Sequence, residues 1–453
     1  MMSGLGQHSS FSTCLFGRQS RGSVCLQATK RAASQTTGRR GSTHVAVKDQ
    51  PKPAQDLSVV STVPRPRGVT DGPWDAQDVK AVEEAQQSET SRPGRRQVGQ
   101  PGALLAQTIQ ELRKLAEQDG QPAYRGKQLH DGLMKGAQSL DDFSNLPKAW
   151  REKMAERGVS PGRSHLLKTV TALDGTRKFL LRLHDDRVVE AVGIPSEEQG
   201  KSRLTVCVSS QVGCPMRCTF CATGKGGFAR NLAAHEIVDQ VMTAQEQFSH
   251  RVSNVVFMGM GEPLLNLPNV LKSVAWLNQD LGIGARHMTI STVGVPNAIA
   301  KLAQQQLQVT LAVSLHAPDQ ALRQQLVPSA KAYPLQALME DSRQFFRATG
   351  RRVTFEYTLM AGVNDSTVQA EALAKLLRQY DLCSHVNLIP WNPVDESDFQ
   401  RPSRNAARAF HSVLQQRGIP CSIRITRGLE AAAACGQLRN DHQKTPMSQL
   451  AVV

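Results

Sequence analysis

The chain has 453 residues, of which 40% are hydrophobic, so it exceeds one ordinary domain and holds enough apolar material for a large core. Its 54 Lys and Arg residues outnumber 39 Asp and Glu residues, and the formal charge of +15 favours a polyanionic partner such as RNA over an acidic small molecule. No apolar run is long enough to cross a bilayer as a helix, which argues against a membrane protein.

Residues 1–50 have the composition of an organellar transit peptide. They contain seven Lys or Arg, eight Ser and a single acid, Asp49, with no continuous apolar stretch of the kind that a secretory signal needs. We expect these residues to direct the protein to the chloroplast, with the mitochondrion as the alternative. A basic disordered tail in the cytosol is the explanation that requires no targeting function. Residues 51–102 are rich in Pro, Gly, Gln and Ser and are predicted to be a disordered linker.

Residues 103–158 are predicted to form a small helical domain. Apolar side chains recur at helical spacing from Leu104 to Leu115, and Gly120 with Pro122 ends that segment. Two further amphipathic pieces follow at 127–135 and 147–157. The domain is a candidate accessory RNA-binding domain, since basic side chains that could contact phosphates occur throughout it: Arg125, Lys127, Lys135, Lys148, Arg151 and Lys153.

Residues 159–200 are predicted to be a β-hairpin extension. Two alternating runs at 166–172 and 177–183 are joined by Asp174-Gly175, a dipeptide that tolerates the positive φ angles of a tight turn. A third strand is predicted at 188–194.

From residue 201 onwards, strands and helices alternate. The predicted strands lie at 204–209, 254–258, 287–291, 309–314, 353–358, 385–389 and 421–426, and helical segments separate them, including 234–248 and 270–281. Repeated β-α units predict an α/β fold, with a parallel sheet and outer helices forming a barrel or partial barrel. In such folds the chemistry lies at the carboxyl ends of the strands.

Three cysteines follow the first of these strands: Cys214, Cys218 and Cys221. Their thiolates could converge on one soft metal centre, either an iron–sulfur cluster or zinc. Structural zinc requires four ligands, and the sequence offers no obvious fourth nearby. Three thiolates on a cubane leave one iron open, so we predict a catalytic [4Fe–4S] cluster.

The Cys-x3-Cys-x-aromatic-Cys pattern, with Phe220 in the aromatic place, resembles the radical S-adenosylmethionine (SAM) signature. Other segments resemble the RlmN/Cfr family of RNA adenine methyltransferases over roughly residues 103–440. They are LTVCVSSQVGC from Leu204, MGMGEPLLN from Met258, SLHAP from Ser314, NLIPWNP from Asn387 and ACGQL from Ala434. The resemblance implies a partial (β/α)6 radical SAM barrel at 201–428, followed by a catalytic-cysteine loop and tail at 429–453.

The resemblance also implies which residues bind SAM. Gly261 and Glu262 would hold the amino group of its methionine part, a task suited to a carboxylate. The other implied contacts follow later strands: Ser291, Ser314, Leu315, His316 and Asn392.

In this family Cys435 is expected to take a methyl group from one SAM. A second SAM, cleaved with an electron from the cluster, gives a radical that removes hydrogen from the methylthioether, and the resulting methylene radical adds to adenine. Cys207 then resolves the protein–RNA adduct, leaving a Cys207–Cys435 disulfide. Glu190 matches the family's proton acceptor; a strand carboxylate facing solvent is the bland interpretation.

The expected activity is methylation of carbon 2 of adenosine in large-subunit, 23S-type ribosomal RNA, with transfer RNA as a second substrate. Such an enzyme needs an electron donor such as ferredoxin or flavodoxin and a disulfide reductant, and we expect a monomer. Methylation of carbon 8 is one alternative. A catalytically impaired RNA-binding iron–sulfur protein is another, because residues 429–434 keep only Glu430 where the family carries several acids.

Overall fold

The computed structural model describes residues 102–198, 200–395 and 397–439. The predicted transit peptide at 1–50, the linker up to residue 101 and residues 440–453 lie outside these ranges. None of the described helices is long and apolar enough to cross a membrane.

The helical domain contains three helices, α1 (Ile109–Gln118), α2 (Tyr124–Met134) and α3 (Lys148–Glu156). It has its own apolar core, in which Leu112, Leu129 and Trp150 are buried. Helix α1 begins later than Leu104 because Thr108 and Glu111 form a capping box that fixes its first turn. The first helix is therefore shorter than predicted, and the division of these residues into a domain of their own stays a prediction.

Several basic side chains of this domain already have partners within it. Arg125 donates to the backbone oxygen of Asn145, at 2.7 Å. Lys127, Lys148 and Arg151 form ion pairs with Asp131, Glu152 and Asp141. These contacts stabilise the domain itself, so phosphate binding by the same residues stays a prediction.

The extension is an antiparallel sheet of β1 (His165–Thr171), β2 (Arg177–Arg182) and β3 (Val188–Glu198). Its first turn contains Gly175 in the left-handed region, at φ +79°, as the Asp-Gly dipeptide predicts. Strand β3 runs four residues further than predicted because it continues to pair with β4 (Lys201–Cys207). The extension thus adds three antiparallel strands to one edge of the main sheet.

The remaining strands of the main sheet are β7 (Asn254–Phe257), β8 (Met288–Thr292), β9 (Thr310–Ser314), β10 (Val353–Leu359), β11 (Ser384–Pro390) and β12 (Cys421–Ile423). Among the described residues the sheet has ten strands in the order β1-β2-β3-β4-β7-β8-β9-β10-β11-β12, and pairing is parallel from β4 onwards. The helices between them are α5 (Ala234–Phe248), α6 (Leu267–Gln279), α7 (Ala298–Gln304), α8 (Gln320–Leu326), α9 (Leu335–Thr349), α10 (Thr367–Gln379) and α11 (Arg404–Gln416).

Strand β10 is buried along its whole length, as expected where helices cover a parallel sheet. The β-α alternation over 201–428 is confirmed. The sequence analysis missed one small feature after β4: a two-stranded ribbon of β5 (Gln211–Gly213) and β6 (Phe228–Asn231) that encloses the cysteine loop and the short helix α4 (Ala222–Lys225). These strands are too short to show a period in sequence.

Candidate active site

The three motif cysteines line a pocket with an open volume of about 900 Å³ at the carboxyl ends of the parallel strands, which we call the cluster pocket. Cys214, Cys218 and Cys221 are free and half-buried on the loop between β5 and α4. Burial raises the pKa of Cys214 and Cys218 well above the ordinary thiol range. Thiolate formation there therefore depends on a cationic centre.

Gly261 and Glu262 follow β7 and lie on the wall of this pocket. Gly261 has φ +107°, and a Cβ there would stand 2.6 Å from the Cβ of Gln211, so glycine is required. The Glu262 carboxylate is buried and accepts from the backbone N–H groups of Leu264 at 3.0 Å and Val293 at 2.9 Å. Burial raises the pKa of Glu262 to about 7. An ammonium group beside it would favour the charged form.

His316 follows β9 and also lines the cluster pocket. Its φ of +61° is a backbone conformation that costs energy in a residue other than glycine. Its Nδ1 accepts from the backbone N–H of Thr358 at 3.0 Å, and its backbone oxygen accepts from Asn364 at 2.8 Å. Burial and the nearby Arg323 lower the pKa of His316 to about 3, so the ring is neutral with its proton on Nε2. Ser291 and Ser314 also line the pocket, with their hydroxyl oxygens 3.4 Å apart.

Two other predicted SAM contacts differ from each other. Leu315 is fully buried in the main core and, among the described residues, is not part of either pocket wall. Its backbone N–H donates to the backbone oxygen of Glu356. Only its backbone could serve a ligand. Asn392, after β11, lines the pocket and donates to the backbone oxygen of Cys435 at 3.0 Å.

A second pocket, with an open volume of about 880 Å³, shares a wall with the first, and we call it the thiol pocket. Cys207, from the end of β4, lines this pocket, whereas Cys435 lines both. Burial raises the pKa of Cys207 to about 12. Cys435 has an exposed side chain, but the protein around it still displaces enough water to raise its pKa, and Arg424 counteracts both shifts. The structure therefore brings together two cysteines that are 228 residues apart in the chain.

Arg424 follows β12, and sequence reasoning missed it. Its Nη1 lies 3.9 Å from the carboxylate of Glu356, which is buried in β10 and accepts from Asn387 at 2.9 Å. The Oε2 atom of Glu356 has no hydrogen-bond partner within residues 102–198, 200–395 and 397–439. A carboxylate in the apolar run VTFEYTL was the available signal, because a buried strand rarely keeps a charge without a partner or a task.

Glu190 lies on β3 and is buried, so it does not face solvent. Its Oε1 lies 3.2 Å from Lys178 Nζ, and its Oε2 accepts from the backbone N–H of Arg439 at 2.8 Å. Lys178 in turn donates to the Ala432 oxygen at 3.3 Å. Glu190 and Lys178 therefore contact the loop on both sides of Cys435. Glu190 itself is not one of the described residues that line the two pockets.

Comparison with known proteins agrees with this geometry. The radical SAM superfamily profile matches residues 208–374. A protein of Thermosynechococcus vestitus named as a probable dual-specificity RNA methyltransferase RlmN is 59% identical, over 74% of this chain and 98% of its own. A protein of Synechocystis with the same name is 57% identical, over 77% of this chain and 99% of its own. The chain belongs to the RlmN family.

A solved structure supports the fold of this RlmN-family chain. A radical SAM methyltransferase from Sphaerobacter thermophilus superposes with a TM-score of 0.71 at 42% identity, covering 75% of this chain and all of that one. Membership of the superfamily implies a [4Fe–4S] cluster and SAM as cofactors.

The residues present fit those cofactors. In the described part of the chain no three His, Cys, Asp or Glu side chains lie close enough together to hold one metal ion. A cubane makes a different demand, because each thiolate has to reach a different iron. The donor set at the cluster pocket is three thiols, and no carboxylate beyond Glu262 and Glu356 is found among its described lining residues. Cys214, Cys218 and Cys221 would hold the cluster, which leaves Glu262 facing the space beside it.

Proposed function

We propose that this chain methylates carbon 2 of adenosine in RNA, acting on 23S-type ribosomal RNA and on transfer RNA. One observation carries the proposal: Cys435 lines both the cluster pocket and the thiol pocket. A residue in the shared wall can receive a methyl group on one side and deliver it to a base on the other. The dual-specificity RNA methyltransferase names of the relatives support RNA as the substrate class.

Each half of the reaction has side chains suited to it. When bound, the cluster and SAM supply a methyl donor and a radical that removes hydrogen. Glu262, Ser291, Ser314, His316 and Asn392 would orient SAM, with Glu262 facing its ammonium group. These residues keep the reacting carbon near Cys435.

Cys435 and Cys207 would act in sequence. Cys435 Sγ forms a bond to the methyl carbon of the first SAM and releases S-adenosylhomocysteine. After hydrogen removal, which uses the second SAM, its carbon would bond to carbon 2 of adenine, and the adduct would then lose one electron to the oxidised cluster and the carbon-2 proton to a base. The Cys207 thiolate would next bond through Sγ to Cys435 Sγ as the sulfur–carbon bond breaks. The released carbon would take up a proton to become the methyl group, which leaves a Cys207–Cys435 disulfide. Arg424 lies where it can stabilise the thiolates, since its cation lowers the pKa of both cysteines.

This cycle consumes two SAM molecules and requires outside electrons. A small electron-transfer protein such as ferredoxin or flavodoxin would reduce the cluster, and a thiol reductant would reopen the disulfide. We propose that the protein acts as a monomer.

Nucleoside mass spectrometry tests the substrate and the position. Purified, cluster-loaded protein is incubated with SAM, a reductant and unmodified RNA of each type, and the RNA is then digested. We expect 2-methyladenosine, with S-adenosylhomocysteine and 5′-deoxyadenosine formed together. Formation of 8-methyladenosine would reassign the carbon, whereas RNA binding with neither SAM product would favour the impaired RNA-binding protein.

We propose that the protein works in the chloroplast. The support is the Arg-, Lys- and Ser-rich, acid-poor composition of residues 1–50. A fluorescent protein fused to these residues should enter that organelle. Accumulation in mitochondria would reassign the compartment, and a diffuse cytosolic signal would refute the transit peptide.

A further inference from the structure

Arg323 on α8 is a buried cation without a carboxylate partner among the described residues. Its side chain has no solvent exposure. Nη2 donates to the backbone oxygens of Val293 at 2.6 Å and Ser314 at 3.1 Å, whereas Nε and Nη1 have no partner in the part of the chain that the structure describes. An unpaired guanidinium in the interior is costly, so a fold retains one where an anion compensates it.

The surroundings of Arg323 indicate where that anion belongs. Helix α8 packs against the cysteine loop: the backbone N–H of Thr219 donates to the Leu326 oxygen at 3.0 Å, and Leu322 and Leu326 share an apolar cluster with Phe220. Cys218 is the group that most strongly favours the charged form of Arg323. Burial lowers the pKa of Arg323 to about 10, so it stays cationic at neutral pH.

A cubane with three thiolate ligands carries net negative charge, which grows on reduction, and its potential depends on nearby charge and on hydrogen bonds to sulfur. We propose that Arg323 is the fixed counter-cation of the cluster, with its Nε and Nη1 donors serving the Cys218 side. The positive charge of Arg323 stabilises the reduced, more negative cluster more than the oxidised one, so it raises the reduction potential of the cluster. This inference rests on the cluster assignment of the proposed function.

Arg323 also links this charge to the SAM site. The Val293 oxygen that it binds belongs to the residue whose N–H reaches Glu262, and Ser314 is another predicted SAM contact. The carboxylate of SAM is a rival anion. Arg323 is not among the described residues that line the cluster pocket, so the pocket lining does not decide between the two anions. The packing of α8 against the cysteine loop favours the cluster.

The test compares Arg323→Met, which keeps bulk and removes charge, with Arg323→Lys, which keeps charge. Arg351→Met is the matched control, because Arg351 likewise binds a backbone oxygen, that of Val309, but at the amino end of the sheet. Iron content is measured first. The reduced cluster's electron paramagnetic resonance signal is then titrated against potential without SAM, and SAM affinity is measured separately.

We expect a lower midpoint potential in Arg323→Met, a smaller shift in Arg323→Lys and none in Arg351→Met. The effect of Arg323→Met on thermal stability should have opposite signs in the two forms of the protein. The substitution should stabilise the cluster-free protein but destabilise the cluster-loaded protein. If Arg323→Met loses the cluster, retention in Arg323→Lys supports the proposal and loss in both overturns it. An unchanged potential at full iron content also overturns it, and weakened SAM binding alone would assign Arg323 to the SAM carboxylate. Lack of a cluster in the parent protein would instead refute the proposed function.

Discussion

The cluster pocket and the thiol pocket meet at Cys435 but are built differently. In the first, backbone N–H groups fix the functional side chains, as for Glu262 and His316. In the second, the main fixed charge is Arg424, balanced by the buried Glu356. The difference suggests that the cluster side is preorganised for binding, while the thiol side is organised around the ionisation of two cysteines.

The loop that carries Cys435 belongs to neither pocket alone. On one side Ala222 and Thr223, just after the cluster cysteines, bind the backbone oxygens of Gly436 and Leu438 at 2.8 and 2.7 Å. On the other side the extension holds it, since Asp174 accepts from the backbone N–H of Gly428 at 3.0 Å. A change in either region can therefore reach Cys435.

Loss of a cluster ligand should have the largest effect. Cys218→Ala should abolish the iron–sulfur absorbance and all SAM cleavage, because two thiolates cannot hold a cubane that needs three. Cys383→Ala is the control, since Cys383 is half-buried and lies outside both described pocket walls. A Cys218→Ala protein with full iron content and turnover would contradict the assignment.

The two cysteines of the thiol pocket should fail differently. Cys435→Ala should form no bond to RNA, because the carbon carrier is absent, while Cys207→Ala should stall after the carrier has joined the base. Denaturing gels before and after nuclease treatment report the adduct. Equal adducts in both variants, or none in Cys207→Ala despite an intact cluster and SAM turnover, would contradict these roles.

Much of the fold could be predicted from sequence because its signals are local. The hairpin follows from Asp174-Gly175, and α5 was predicted with its observed bounds because its apolar spacing is regular. The cysteine spacing located the cluster pocket. The helix predicted from Leu104 is shorter in the structure because the capping box of Thr108 fixes its start.

The remaining features depend on contacts that spacing cannot show. Arg424 and Glu356 are distant in sequence and become a pair only when β10 and β12 approach through β11. Arg323 could not be distinguished from a surface arginine of an amphipathic helix. Glu190 was assigned a role from resemblance, yet its pairing with Lys178 depends on the register of β2 and β3.

Replacing Arg424 should have an effect of intermediate size on the rate of methyl transfer, and the effect should be specific to the thiol pocket. Its cation lowers the pKa of Cys435, so Arg424→Met should raise that pKa and reduce the thiolate fraction at neutral pH. A shift of one unit slows methyl transfer to Cys435 about tenfold at neutral pH and moves the rate profile to higher pH. The rate at which methylated Cys435 forms is measured by mass spectrometry at a series of pH values. Arg427→Met, an exposed arginine of the same pocket, is the control, and matching profiles would contradict the role.

Glu190 should show the smallest change in rate, because the structure favours a positioning role through the Cys435 loop. Removing one partner of its buried ion pair leaves a lone charge, so Glu190→Gln or Lys178→Met alone should each cost about 3 kcal/mol of stability. The double variant Lys178→Met with Glu190→Gln leaves no lone charge and should recover most of that loss, with activity recovering in parallel. A proton acceptor predicts the opposite, because the double variant would be as inactive as Glu190→Gln at full stability. Denaturant unfolding and RNA methylation measured on the three variants therefore separate the two roles, and a stable but inactive double variant would establish Glu190 as the proton acceptor.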